Sequence, residues 1–384
     1  MKSKTSTQLQ LIRTIHPVGQ GAFYTEHLFK RKECRACIVY DCGSTTPDNA
    51  LQKEIESTFQ AYKKIDVLFL SHLDLDHVNG INLLKDAYCI KQVVLPLMSQ
   101  EARELVFVQG LASCPKDTSK KDINDFHDLV FRPGDFFGGI PVSFVRPADS
   151  SSNPGTPQEI GSLSGKAEID SFQELTWCGW KYVPFNFEQK DRCRIFKERL
   201  AACPLLKGRP VAFDTSLFDD KETLKAVKCI YKSLPGGING NSLMLYSGPL
   251  QEECLLKVDV EGEGESEKPE KDHSGFCRAG CLYTGDMNLK AEGAIPYIRR
   301  LPEKDLDNLH LIQVPHHGSK HSYDKALLAL NPNVQDYFLS YGTKNRYKHP
   351  HAEVRDSLKR AGKNLHAVSE QENTRYELQY SIVW

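Results

Sequence analysis

Short apolar runs separated by amphipathic stretches set the rhythm of this chain. IDVLFLS (65–71) and KQVVLPL (91–97) are continuously apolar, which predicts strands buried on both faces. LQKEIESTFQAYKK (51–64) has helical spacing and good helix formers, and INLLKDAY (81–88) predicts a short helix. Residues 11–43 read as strands with a turn, the last run, ACIVYDCGS, ending in Asp-Cys-Gly. Strand, helix, strand in this order predicts a layered α/β protein. From 98 to 235 the pattern weakens. ELTWCGWKYVPF (174–185) predicts strand, with its aromatics packed inward rather than stacking bases. DRCRIFKERLAACPLL and KETLKAVKCIYKSL predict amphipathic helices, and 148–168 is a Ser/Gly/Pro-rich loop. Strands return with SLMLYS (242–247), CLLKVDV (254–260), CLYTGD (281–286), LHLIQVPHHGS (309–319), VQDYFLSYG (334–342) and RYELQYSIVW (375–384). Helices are predicted over NLKAEGAIPYIRRL and AEVRDSLKRAG. EGEGESEKPEKDH (261–273) is an apolar-poor acidic tip, expected to be mobile.

Composition narrows the classes. The 384 residues carry 49 Lys+Arg against 50 Asp+Glu, a net charge of -1. That excludes a polybasic nucleic-acid coat protein and an acidic disordered tail, but leaves room for a local basic groove. No run approaches the roughly 18 apolar residues of a membrane span. The first residues do not read as a signal peptide, and 12 Cys, several inside apolar runs, fit reduced thiols. A cytoplasmic protein without a membrane span is therefore expected.

The sharpest chemical signal is Ser71-His72-Leu73-Asp74-Leu75-Asp76-His77-Val78-Asn79-Gly80, where a buried strand runs into a loop and then a helix. Carboxylates and imidazoles so close are costly unless a cation sits among them. The spacing lets His72 and Asp74 face one divalent ion and Asp76 and His77 a second, about 3.5–4 Å away as in two-metal sites. The bland alternative is an exposed polar turn. Two further strands end in ligand-type residues: Thr284-Gly285-Asp286 and Pro315-His316-His317-Gly318-Ser319. Sites in layered α/β folds gather at strand ends.

SHLDLDHVNG, TGD and PHHGS, in that order, resemble the metallo-β-lactamase superfamily of hydrolases, and more closely the hydrolase domain of the competence DNA-uptake protein ComEC and its stand-alone relatives. Asp74 at the second ligand position, Asn239-Gly240-Asn241-Ser242-Leu243 before a strand, Ser340-Tyr341-Gly342, and Asn345-Arg346-Tyr347-Lys348-His349-Pro350 carry that closer likeness. So do VGQG (18–21) and YDCGS (40–44). The resemblance implies an αββα four-layer sandwich, one domain over 1–384. Residues 98–235 would be an inserted or elaborated region serving as a lid or contacting substrate or partners. It implies that His72 and Asp74 hold a first ion, Asp76 and His77 a second, and that Asp286 bridges them. Asp76 also orients the bridging water. His316 is favoured over His317 to complete the second set, with His317 the alternative ligand or a substrate contact. Asn239 or Asn241 stands where many members carry a third His.

An oxygen-rich ligand set favours Mn²⁺ or Mg²⁺ relative to an all-His zinc site, with Zn²⁺ still open. The expected activity is phosphodiester hydrolysis of DNA or another nucleic acid through a metal-bridged water. Asp76, His349 and His317 are the candidate catalytic residues. His349 would protonate a leaving oxygen or bind phosphate, unless it is only a structural histidine at a helix start. Ser242, Lys320, Asn345, Arg346, Tyr347 and Lys348 are candidate substrate contacts, beside Lys344 in the same basic cluster. A small-molecule ester, lactone or phosphodiester hydrolase and a non-catalytic assembly module are the alternatives. A nucleic acid, and a protein partner through 98–235, are the partners expected. Cys34, Cys37, Cys277 and Cys281, near His273, offer a weaker zinc pattern against ordinary free thiols.

Overall fold

The computed structural model describes residues 8–113, 118–148, 156–163, 166–188, 190–206, 220–234, 241–250, 255–261 and 278–383. The sequence calls on Asn239, His273, Cys277 and nearly all of the 261–273 tip lie outside them.

Two large sheets form the centre. The first has nine strands in the order Glu168–Asp170, Val142–Arg146, Val93–Pro96, Val67–Phe69, Glu33–Ser44, Gly21–Lys30, Gln8–Ile15, Tyr376–Val383 and Leu255–Glu261. The second has eight, in the order Asn364–Val368, Asp336–Ser340, Leu309–Gln313, Gly280–Tyr283, Asn241–Pro249, Trp180–Glu188, Leu175–Trp177 and Gln158–Glu159. Alternation along Glu33–Ser44 shows how the sheets share their faces. Ala36, Ile38 and Tyr40 face the core between the sheets, while Cys37 and Val39 face helices outside. Tyr24, Phe69, Trp180, Tyr182, Tyr283, Phe338 and Tyr380 fill that inner core. Helices Ala50–Thr58 and Ile81–Ala87 contribute to the apolar layer outside the first sheet. Helices Ala294–Ile298 and Ala352–Arg360 contribute to the layer outside the second. Three apolar clusters between four layers make an αββα sandwich.

Several boundaries differ from the sequence reading. The helix expected over 51–64 is Ala50–Thr58 and closes at Phe59, whose buried ring joins the outer core. NLKAEGAIPYIRRL is helical only over Ala294–Ile298, because Gly293 at φ 80° interrupts it. ELTWCGWKYVPF is a hairpin, with Cys178 and Gly179 at φ 48° and 86° in the turn. Trp180, Tyr182 and Phe185 are buried in it, as the core reading of these aromatics expected. Residues 98–235 do not lie wholly outside the sandwich. Val142–Arg146 and Glu168–Asp170 extend the first sheet, and Gln158–Glu159, Leu175–Trp177 and Trp180–Glu188 extend the second. Helices Gln100–Ser113, Lys120–Phe131, Lys190–Ala201 and Lys221–Lys232 pack on one another and on the first sheet's outer core. No helix among the described residues is long and apolar enough to cross a membrane.

Candidate metal centre

The centre is assembled at the ends of adjacent strands. Val67–Phe69 is buried, and the chain leaves it through Ser71 and His72 into the single-turn helix Leu75–Val78, which begins after Asp74. That helix sits directly on Gly21 and Gly43, on adjacent strands. A Cβ on Gly43 would lie 2.6 Å from the His77 nitrogen and the Asp76 carbonyl carbon, so only glycine lets the helix lie this close. On the second sheet, Gly280–Tyr283 ends in the Thr284-Gly285-Asp286 turn. The Gln313 side-chain oxygen accepts from the Thr284 and Gly285 amides at 2.9 and 3.0 Å, fixing where Asp286 points. After Leu309–Gln313, His316, His317 and Gly318 all adopt left-handed backbone, at φ 51°, 52° and 78°. Two successive non-glycine residues in that region are costly and mark a functional turn.

All four histidines are held in the same way. Nδ1 of His72 bonds Ser71 Oγ at 2.8 Å, and Nδ1 of His77 bonds Asp41 at 2.8 Å. Nδ1 of His316 bonds Ser322 Oγ, and Nδ1 of His317 the Ser340 carbonyl, each at 2.9 Å. Their Nε2 atoms all converge on Asp286, at 3.9 Å from His72, 3.2 Å from His77, 3.6 Å from His316 and 3.9 Å from His317. An imidazole with its far nitrogen anchored and its near nitrogen aimed at a shared carboxylate has the arrangement of a metal ligand with outer-shell support. Asp74 lies 3.8 Å from His72, and Asp76 3.3 Å from His317. Two overlapping sets, His72–His77–Asp286 and Asp76–His77–His317, each bring three ligand atoms within 4.8 Å of one another.

The electrostatics match the crowding. Burial, then Asp76 and Asp286, pushes the Asp74 carboxyl up to about 8. Burial would also raise Asp286, but His316, His77 and His317 outweigh it and hold the carboxyl well below the usual range. Burial and then His77 drive His72 down to about 3. His77 Nε2 and His317 Nε2 are buried without a hydrogen bond of ordinary geometry. Buried nitrogens without such bonds, aimed into a nest of carboxylates, fit divalent cations.

The sequence-predicted residues divide as follows. His72, Asp74, Asp76, His77, Asp286, His316 and His317 come together. His317, not the favoured His316, shares a group with Asp76; His316 lies 3.6 Å from the same Asp286 oxygen that His317 approaches. His349 stands beside them, its ring 5.6 Å from that of His316, with Nδ1 buried and lacking a hydrogen bond. Ser242 lies beneath the Asp286 turn, its Oγ 3.4 Å from the Thr284 carbonyl, and does not open to a ligand because it is fully buried. Asn345 is committed to its own loop, bonding Gly342 and His349. Arg346, Tyr347 and Lys348 are exposed on that loop, while Lys320 is half-buried and offers its carbonyl to Lys290. Asn241 opens the strand Asn241–Pro249. Cys37 and Cys281 lie in apolar clusters on opposite faces, Cys37 outside the first sheet and Cys281 between the sheets, which opposes the zinc pattern.

Two residues carry weight that the motifs did not reveal. Asp41 is a β-bulge: Phe23 pairs with Cys42 and Tyr24 with Tyr40, leaving Asp41 extra at φ 59°. Fully buried, it accepts from the Ser71 amide and hydroxyl at 2.6 Å each and holds His77. A bulge re-aims a side chain, and the only signal was an Asp ending a strand in YDCGS. Gln109, from helix Gln100–Ser113, donates its side-chain amide to Asp74; nothing in its local sequence marks it.

Residues 31–149 match the model of the Metallo-beta-lactamase superfamily. Over that segment the chain is similar to the superfamily, and the αββα sandwich is the architecture such a resemblance implies. The matched segment contains Asp41 and the His72–His77 cluster, while Asp286 and His316 lie beyond it. Among solved structures, the chain is similar to the metallo-beta-lactamase fold protein YhfI from Bacillus subtilis, at 10% identity and a TM-score of 0.40 over 96% of this chain and 99% of that one. It is similar to Zn(2+)-bound PqqB from Methylobacterium extorquens, at 10% identity and 0.39 over 93% and 97%. It is also similar to a long form RNase Z from yeast, at 10% identity and 0.36 over 87% and 37%. No curated protein sequence matches it. The centre itself lies at strand ends of both sheets.

Proposed function

We propose that this chain is a metal-dependent hydrolase, a phosphodiesterase or nuclease acting on DNA or another nucleic acid. The observation that carries the reading is the convergence of four Nδ1-anchored histidines on Asp286, with Asp74 and Asp76 beside it. His72, Asp74 and Asp286 would hold one divalent ion and Asp76, His77, His317 and Asp286 its neighbour, with His316 close to Asp286 as a further donor. Such ions, Mn²⁺ or Zn²⁺, lower the pKa of water and offset charge on a phosphoryl oxygen. Asp76, half-buried at the rim, orients the attacking water. His349 is placed to hydrogen-bond a phosphoryl or leaving oxygen. The resemblance to the ComEC hydrolase domain and the exposed cations Lys344, Arg346 and Lys348 support a nucleic-acid substrate.

The test is elemental analysis of the purified protein, followed by assay with Mn²⁺ and with Zn²⁺ against single- and double-stranded DNA, RNA and cyclic dinucleotides. Cleavage of at least one, with Asp76→Ala slowing it about a hundredfold or more, is expected. No cleavage by the wild type, or equal cleavage by Asp76→Ala, defeats the reading.

A further inference from the structure

An aromatic ladder leads out of the metal centre. His349 stacks on His317, with ring centroids 6.4 Å apart and planes 21° from parallel. Tyr347 stacks in turn on His349, at 5.6 Å and 24°. The Arg346 guanidinium lies 5.0 Å from the Tyr347 ring centroid and donates to its hydroxyl at 2.8 Å. The ladder starts at a buried ring and ends in solvent: Tyr347 is 50% exposed, more than any other large hydrophobic side chain among the described residues.

An exposed tyrosine alone means little. This one is held in place. Asn345 donates to the carbonyls of Gly342 and His349, each at 2.7 Å, and accepts from the His349 amide at 2.9 Å, so the loop is closed beneath the ring. Lys348 between Tyr347 and His349 takes a left-handed backbone at φ 60°, a cost that lets both rings face the same way. Residues 342–349 contain Lys344, Arg346 and Lys348 and no acid. All three cations are exposed.

We propose that Tyr347, with Arg346, is a stacking platform for an unpaired nucleobase, and that the substrate is therefore a single-stranded nucleic acid or a frayed strand end. The cleaved bond rests on the hydrolase reading; the platform does not. Rings and guanidinium planes stack any base through its π-face, and cations beside them grip the flanking phosphates. A base inside a duplex has both faces covered and cannot use such a platform. A small aliphatic ester would gain nothing from it.

The experiment compares binding of a labelled single strand, the same strand with abasic residues, and a duplex, by fluorescence anisotropy. It uses full-length, Mn²⁺-loaded protein carrying Asp76→Ala to prevent cleavage. The intact single strand should bind about tenfold more tightly than the abasic one. Adding Tyr347→Ala should erase the difference, and Tyr347→Phe should retain it. Equal binding of intact and abasic strands, or a base preference that survives Tyr347→Ala, overturns the proposal. Loss of preference in Tyr347→Ala supports the platform even if the wild type cleaves no phosphodiester, in which case the hydrolase reading alone fails. Cleavage without base preference leaves that reading standing and removes the platform.

Discussion

At the scale of single residues, Asp41 shows how much of a metal site lies outside its ligands. Its two oxygens take three hydrogen bonds, from the Ser71 amide, the Ser71 hydroxyl and His77 Nδ1. A carboxylate there can only accept, so His77 keeps a proton on Nδ1, and Nε2 is the atom left for an ion to take. Asp41→Asn keeps the shape but can place an NH₂ against Nδ1. His77 then moves its proton to Nε2, and the ligand atom is blocked, as in catalytic triads whose Asp becomes Asn. Metal affinity should fall by about ten- to a hundredfold, measured by competition with a chromophoric chelator, while the far-UV circular dichroism stays that of the wild type. Unchanged affinity would show that Asp41 serves only to bind the Ser71 turn.

At the scale of elements, helix Gln100–Ser113 joins the helical layer to the centre through Gln109, which donates to Asp74. Asp74 is crowded by Asp76 and Asp286, so an amide donor helps keep it ionised and aimed at its ion. Gln109→Ala should weaken binding of one ion by about tenfold and spare the other, giving a biphasic calorimetric titration where the wild type gives a steeper one. A titration identical to the wild type would reduce the helix to a cover. This contact also explains what the sequence could and could not show. His72, Asp74, Asp76 and His77 were legible because four ligand-type residues fall within six positions at a strand end, and Asp286 and His316–His317 because each follows an apolar run. Asp41 and Gln109 are single residues, 30 and 35 positions from the partners they hold, and a bulge or a helix docking has no local pattern. The same limit hid the sheet edges within 98–235. Several of those strands have two or three residues, too few for alternation to register.

Across the whole molecule, building a sandwich this thick also leaves half-buried histidines that have no part in the centre. His27 lies on Gly21–Lys30 near Phe29 and Phe59, and burial, then the nearby His16, lowers it to about 4. His310, at the opposite end of its strand from His316, bonds Tyr380 at 2.8 Å, and burial lowers it to about 4 although Asp336 pulls the other way. Both are neutral in the fold and titrate near 6.5 once unfolded. The sign follows: above about pH 6.5 neither state holds the extra proton and stability is full; as pH falls toward 4 the unfolded chain takes up protons the fold refuses, and stability is lost. Each group can withdraw up to on the order of 3 kcal/mol across that window, so their loss should begin before ordinary exposed carboxylates titrate near 4. Urea midpoints of metal-free protein, held in chelator, should fall steadily from pH 7 to 5. The paired variant His27→Asn with His310→Asn should be weaker at pH 7 yet show a shallower decline, because asparagine has no proton to gain. An unchanged slope in that variant would place the acid sensitivity elsewhere, in the empty metal centre or in His16.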